Sequence, residues 1–362
     1  MLNSIKGKIV NYNESFNGEI LFSKKIEKIH KEEKVDDNVI ILPGYIDLHC
    51  HGGGGFDTMQ GYDSIEKMSH FHLLNGTTTL LPTTWTSKFD HIQQALSNVN
   101  KLIADTTNNI EGIHLEGPFI NPNKLGAQPA LTQLPSSEFI ANILNQANIK
   151  VITLAPEIQG MKEFIEFLIN KNIQVQFGHT LADFKTSNEY LKKFTIGFTH
   201  LYNAMSGHAS RESGVLSSAL LNGQFAEIIC DNNHVNEQAI KIAYKCIPGL
   251  YAVSDAISAT GLSDGLYNFA GIDVEKKNNI VCLKNTNTLA GSVITMHETF
   301  KNLVNMNFSL KEAVRMTSYN ASKYLKLDNV GLLKEENISN FIVMDKNLNL
   351  LKVFLNGELV SE

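Results

Sequence analysis

The sequence predicts an α/β protein, a (β/α)8 barrel carrying a small β domain assembled from both ends of the chain. Three observations predict it. Eight short apolar runs recur through the middle of the chain, most followed by an amphipathic stretch of helical length. Residues 1–43 hold only short β-like runs, and residues 335–362 repeat that texture. With 362 residues, 43% apolar and 19% charged, the chain can bury a large core. The barrel would then occupy residues 44–334. A doubly wound open sheet alternates strands and helices in the same way, and strand count alone leaves both arrangements open.

At the N-terminal end the β-like runs are 5–10, 19–22, 26–30 and 39–42, separated by turns rich in Asn, Gly and Lys. At the other end they are 340–344 and 350–355, the latter followed by Asn356-Gly357. In the middle, strands are expected at 44–49, 78–82, 112–116, 151–155, 175–179, 197–201, 227–231 and 251–255. Helices are expected at 63–74, 88–103, 136–146, 161–169, 182–192, 215–222 and 236–245. This alternation calls for parallel strands joined by right-handed crossovers. A Gly/Asn-rich stretch (261–287) follows the eighth strand, then helical runs at 293–305 and 310–325.

Composition narrows the function. A net charge of −6 with no long basic run argues against a nucleic-acid binder, which needs clustered phosphate contacts. No apolar run approaches membrane-spanning length, and the N-terminus lacks a secretory h-region, so neither a membrane partner nor export is expected. Cys50, Cys230, Cys246 and Cys282 are widely spaced without a C-x-x-C pair, as in reduced cytoplasmic proteins.

In a (β/α)8 barrel, side chains at the carboxyl ends of the strands converge on one mouth. Those ends carry His49 and His51, Glu116, His179, His200, Asp231 with His234 just beyond, and Asp255. His49 and His51 lie two apart, on one face of a strand, where both imidazoles can meet one ion. The glycine run 52–55 leaves room for an ion and a substrate near the backbone. Glu116, His179 and His200 form a His2Glu set, a ligand set that catalytic zinc uses while keeping a position for water. His114 reads equally as a supporting group and as a satisfied core histidine. Asp255 is placed to carry a proton between water and a leaving group. The chain has only two arginines, Arg211 and Arg315, and Arg211 lies in the loop after the sixth strand. A guanidinium there fits a fixed anion, with a surface ion pair as the plain alternative. No P-loop, no G-x-S-x-G elbow and no paired nucleophilic cysteine is present. Metal-assisted hydrolysis fits best.

These residues resemble the amidohydrolase superfamily and, within it, the N-acetylglucosamine-6-phosphate deacetylase family. The segments that carry the resemblance are PGYIDLHCHGGGGFD (43–57), GTTTLLPT (76–83), GIHLEGPFIN (112–121), GHT (178–180), THLYNAM (199–205), DNNHV (231–235), SDAISATG (254–261) and LAGS (289–292). H-x-H and a late Asp are shared across the superfamily, whereas HLEGPF followed by THLYNAM is specific to the deacetylases. The resemblance implies a distorted, TIM-like (β/α)8 barrel with a small β-sandwich-like domain. It also implies hydrolysis of the acetamide of N-acetyl-D-glucosamine 6-phosphate to D-glucosamine 6-phosphate and acetate, in a cytoplasmic homodimer. Glu116, His179 and His200 would hold a divalent metal, and His49 and His51 would permit a second, so one or two ions per subunit are implied. Zn2+ comes first, with Fe2+, Mn2+ or Co2+ behind it. Asp255 would be the catalytic acid and base. Substrate contacts would fall on Ala127, Gln128, Asn203, Ala204, Arg211, His234, Leu289, Ala290 and Gly291.

Two departures stand out. Gln128 occupies a position where some members carry His, so carbonyl polarisation falls to Gln128 or to a metal. Asn232 replaces a usual glycine, and asparagine tolerates left-handed backbone better than most residues. Two rivals remain. A dihydroorotase- or hydantoinase-like enzyme would need a carboxylated lysine that the end of the fourth strand lacks. A non-enzymatic sugar-phosphate sensor would have no reason to keep the ligand set and Asp255 together.

Overall fold

The computed structural model describes residues 2–36, 38–104, 107–136, 143 and 147–361. The two chain ends build one seven-stranded sheet, in spatial order Glu358–Ser361, Leu350–Leu355, Phe341–Met344, Ile40–Pro43, Asn3–Val10, Ser15–Phe22 and Ile26–Lys31. Strand Ile40–Pro43 is the hinge pin, pairing antiparallel with the C-terminal strand (Ile41↔Val343) and parallel with the N-terminal one (Ile9↔Ile41). Phe22 and Phe354 lie on strands four apart, which in a flat sheet would separate them by roughly 19 Å. Their rings sit 5.2 Å apart. The sheet therefore curls over on itself and encloses its own core of Ile9, Ile20, Phe22, Ile41, Phe341 and Phe354, a sandwich-like closure from a single sheet. The last strand, unforeseen in the sequence, returns through a tight turn at Asn356 (φ 52) and Gly357 (φ 79).

Ile40–Pro43 runs directly into Tyr45–Cys50, the first barrel strand. Thr77–Thr84, Ile113–Glu116, Ile149–Leu154, Gln174–Phe177 and Gly197–Phe198 then add one after another, all parallel and in chain order. A doubly wound sheet would reverse direction at a switch point. This one does not. The remaining strands, Phe225–Ile229 and Gly249–Val253, pair with each other. Two looser seams complete the ring. Leu201 N–H donates to the Glu227 carbonyl at 2.9 Å on one side, and on the other Asp255 N–H meets the His49 carbonyl at 2.8 Å. The result is a distorted (β/α)8 barrel, its strands buried along nearly their whole length because both faces are covered.

Helices Tyr62–Leu74, Phe89–Ile103, Met161–Asn170, Phe184–Leu191, Val215–Asn222 and Glu237–Cys246 lie outside it. Phe89–Ile103 shows the pattern, burying Ile92, Leu96 and Val99 on one stripe. Phe184–Leu191 starts later than 182 because Asp183 caps it, accepting the Thr186 N–H. The helix expected at 136–146 falls almost wholly outside the described residues. Among the described residues, no helix is long and apolar enough to cross a membrane.

The Gly/Asn-rich stretch is not a bare loop. It folds into a three-stranded antiparallel sheet, Gly265–Phe269, Ile272–Lys277 and Ile280–Leu283. Both turns have two residues at positive φ, Ala270-Gly271 (54, 78) and Asn278-Asn279 (50, 62), the geometry that matches strand twist in a tight hairpin. The turn residues carry the signal; they read as loop composition because the strands between them are short and half exposed.

Candidate active site

His49 and His51 end the first barrel strand and point to the same side, as the period of two requires. Each ring is tied from behind. His49 Nδ1 donates to Glu227 Oε2 at 2.9 Å, His51 Nδ1 to the Thr83 carbonyl at 3.1 Å, and His179 Nδ1 to the Lys124 carbonyl at 2.7 Å. A carbonyl only accepts, so in His51 and His179 Nδ1 carries a proton and Nε2 is the atom that faces forward. Among the described residues His200 Nδ1 has no hydrogen-bond partner, and its Nε2 faces the same point.

The forward atoms converge in two overlapping groups. Glu116 Oε1 lies 3.2 Å from His179 Nε2 and 3.1 Å from His200 Nε2, and those two nitrogens are 3.1 Å apart. Glu116 Oε2 lies 3.2 Å from His51 Nε2, which is 3.2 Å from His49 Nε2 and 3.4 Å from Asp255 Oδ1. Acceptors facing acceptors at these distances need a cation among them. A tetrahedral divalent ion at about 2.0–2.1 Å from each ligand would hold its ligands ~3.3 Å apart. The donor set fits. Glu116, with one oxygen in each group, can serve both.

Electrostatics says the same. Burial works against protonating His49, but Glu116, Asp255 and Glu227 outweigh it and raise it well above 6.5. His51 is likewise opposed by burial and lifted to about 9 by Asp255 and Glu116. Burial would push Asp255 up, yet His49 and His51 hold it down at about 2. In the bare protein the imidazoles thus take the cation's place.

The strand ends are strained. His179 (φ 49), His200 (φ 29) and Asp255 (φ 49) all lie at positive φ, as do Tyr202 (φ 80) and Ala204 (φ 48) in the loop that follows. Each such residue costs of order 1–3 kcal/mol and persists only where its surroundings impose it. Glu157 is one source, its carboxylate accepting from Thr180 Oγ1, the Leu181 N–H and Asn121 Nδ2 just past His179. Asn232 adopts φ 63 before His234.

A cavity of about 470 Å³ opens above the cluster. Ala127, Gln128, Asn203, Ala204, His234, Phe269, Leu289 and Gly291 are among the residues that line it. His234 Nδ1 is held by Asp231 at 2.7 Å. Gln128 is fixed at both ends: its Oε1 accepts the Thr86 N–H at 2.6 Å, so its amide nitrogen must face Glu116 Oε2, to which it donates.

Three expectations need correction. Ala290 is fully buried against apolar neighbours and its N–H is spent on the Val281 carbonyl, so only its flanking residues reach the cavity. Arg211 is exposed and does not line the cavity of its own chain, because its loop turns outward between Ala209 and Ser213. The glycine run makes room for protein rather than ligand. A Cβ on Gly52 would come within 2.5 Å of the Phe56 carbonyl and the Ser258 N–H, and one on Gly53 within 2.7 Å of the Phe71 ring. His114 is a satisfied core histidine, bonded to the Leu48 carbonyl at 2.8 Å and Thr153 Oγ1 at 2.7 Å. Sequence reasoning missed Glu227 and Asp47, both fully buried. Asp47 takes Ser254 Oγ at 2.5 Å and the Ser254 N–H at 3.1 Å, tying the eighth strand to the first beside Asp255. The available signal was a charged residue inside an otherwise apolar strand.

The amidohydrolase family profile matches residues 40–360. The chain belongs to the amidohydrolase family. An N-acetylglucosamine-6-phosphate deacetylase of Bacillus subtilis (strain 168) is 33% identical over 98% of this amidohydrolase and 93% of its own length. A crystal structure of N-acetylglucosamine-6-phosphate deacetylase from Thermotoga maritima superposes with a TM-score of 0.93 at 29% identity, covering 99% of each chain. A mutant N-acetyl-D-glucosamine-6-phosphate deacetylase from Mycobacterium smegmatis, in complex with N-acetyl-D-glucosamine-6-phosphate, also gives 0.93, at 26% identity over 100% of both chains. Metal dependence belongs to the superfamily, and the two donor groups of this amidohydrolase supply the residues for it.

Proposed function

We propose that this chain hydrolyses the acetamide of N-acetyl-D-glucosamine 6-phosphate, releasing acetate and D-glucosamine 6-phosphate. One observation carries the reading: Asp255 Oδ1 lies 3.4 Å from His51 Nε2 and 3.5 Å from His49 Nε2, beside the Glu116–His179–His200 group, at the closed end of a cavity of sugar-phosphate size. Relatives named for this deacetylation over nearly the whole length support it. A divalent ion, Zn2+ first, held by Glu116, His179 and His200, supplies Lewis acidity that makes water a nucleophile near neutral pH. Asp255 takes a proton from the attacking water and delivers it to the departing nitrogen, without which the amine is too poor a leaving group. The Gln128 amide nitrogen, pinned by Thr86 and giving one N–H to Glu116 Oε2, has its second N–H left for the reacting carbonyl. His234, Asn203 and the backbone of Leu289 and Gly291 hold the sugar phosphate, and that remote binding orients the amide.

The rest of the reading is proposed with it. His49 and His51 take a second ion; residues 1–43 with 335–362 form one domain and 44–334 the other. The enzyme works as a homodimer in the cytoplasm, where four free thiols, Cys246 exposed, stay reduced. Arg211 then meets the phosphate from outside its own chain's cavity. A carboxylated-lysine enzyme is disfavoured, since the lysine of strand Ile149–Leu154, Lys150, sits at its start and pairs with Glu111 at 3.8 Å.

The test is acetate release from purified, Zn2+-loaded protein on N-acetylglucosamine with and without the 6-phosphate, and on the 4-epimer. The phosphorylated substrate should be preferred at least ~100-fold, the worth of a charged clamp of about 3 kcal/mol. In Arg211→Ala that preference should fall at least ~10-fold, with the unphosphorylated rate unchanged. Equal losses on both substrates would remove the anion clamp. No acetate release by the loaded protein would remove the activity.

A further inference from the structure

Glu227 sits in the middle of strand Phe225–Ile229, wholly shielded from solvent, among the apolar side chains of Phe225, Ala226, Ile228 and Ile229 on the same strand. Its Oε2 accepts from His49 Nδ1 at 2.9 Å and from the His200 backbone N–H at 3.2 Å. Tyr251 Oη lies 3.5 Å from Oε1. Among the described residues no lysine or arginine pairs with Glu227, Glu116 or Asp255; their ionic partners are all imidazoles. An unpaired buried carboxylate is costly. One divalent ion at Glu116, His179 and His200 leaves one of the three negative charges over. A second ion would cover it with one positive charge to spare, and without Glu227 two would be left over.

Geometry agrees with charge. By accepting from Nδ1, Glu227 fixes the His49 tautomer and turns its Nε2 lone pair towards His51 Nε2, 3.2 Å away. A carboxylate behind a ligating imidazole both orients the ring and strengthens it as a donor, and losing it typically weakens metal binding 10–100-fold. The contact with the His200 backbone ties the same carboxylate to the strained end of the sixth strand.

We infer that Glu227 is the positioning residue for a second divalent ion, orienting His49 and supplying the buried charge that makes two-ion occupancy stable. It touches neither substrate nor reacting atoms. The inference rests on reading His49 and His51 as ion ligands, and the experiment separates the two.

Chelator-stripped full-length protein is titrated with Co2+ and bound ions are counted by elemental analysis and calorimetry, in wild type, Glu227→Gln, Glu227→Asp and His49→Ala. Wild type should take two ions. Glu227→Gln should keep the first with affinity within about threefold and bind the second ~10–100-fold more weakly. Glu227→Asp keeps the charge but shortens the reach to Nδ1, and should also lose second-ion affinity while keeping the first. Unchanged second-ion affinity in both variants overturns the role of Glu227. Wild type and His49→Ala binding the same number of ions overturns the ligand reading beneath it. Nitrogen NMR of the wild-type imidazoles needs no variant to fold: His49 should be protonated at Nδ1 in the ion-loaded protein, and protonation at Nε2 would refute the orientation.

Discussion

Asp255, the proposed acid and base, stands on a backbone that resists it. At φ 49 the residue is strained, yet its N–H meets the His49 carbonyl at 2.8 Å and its carbonyl accepts the Ser292 N–H at 2.7 Å, so both strand one and the 289–292 loop hold it in place. Its carboxylate, held at about 2 by His49 and His51 against burial, is ionised throughout the neutral range and ready to accept a proton. Asp255→Asn keeps the shape but can neither take nor return that proton, so kcat for acetate release should fall at least ~1,000-fold. Glu116, His179 and His200 are untouched, and bound metal at that group should stay near wild type. Near-normal turnover by this variant would remove Asp255 from the mechanism. Gln128 shows what a single position decides: with Oε1 committed to the Thr86 N–H, its amide nitrogen can only donate, and it does so to Glu116.

Elements set how well such residues are aimed. The eighth strand meets the first not by a full ladder but through Ser254, whose hydroxyl and N–H both bind Asp47. Ser254→Ala leaves a buried carboxylate short of one donor, at a cost of about 1–3 kcal/mol. Because Asp255 is next along, kcat should drop while KM for the sugar phosphate holds; a denaturant melt and steady-state kinetics on one sample would check both. A large loss of stability with unaltered kcat would mean that the seam is structural only. Much of this was legible beforehand. All eight barrel strands lie where apolar runs stood between turn residues, and Glu116, His179, His200, His49, His51 and Asp255 meet because a barrel brings strand ends together. Glu227 and Asp47 were not legible, since a lone carboxylate in a strand acquires meaning only from partners on other strands, 178 and 207 residues distant in sequence. That Arg211 stands outside its own chain's cavity was not legible either, because rarity in composition says nothing about which way a loop turns.

For the molecule as a whole, closing the barrel gathers imidazoles and carboxylates into one buried cluster, and its charge has to be balanced by something. Without an ion, protons on the imidazoles do it. His51 then titrates near 9 rather than its ordinary 6.5, so the folded chain binds a proton there that the unfolded chain releases. The stabilisation is complete below about pH 6.5 and is lost as pH rises through about 9. Its size is about 3 kcal/mol, shared with Asp255 and Glu116 rather than added to them. An ion displaces that proton and removes the dependence, while adding its own binding energy, ~4 kcal/mol at a thousandfold over Kd. Urea unfolding at pH 6.5, 8 and 9 should therefore show chelated protein weakening steadily and Zn2+-loaded protein nearly level. Calorimetry in buffers of different ionisation enthalpy should register at least one proton released per chain on ion binding at pH 7. His51→Asn should flatten the chelated profile. Parallel profiles with and without Zn2+ would mean that the cluster is balanced from within and that the ion is not what its geometry is built around.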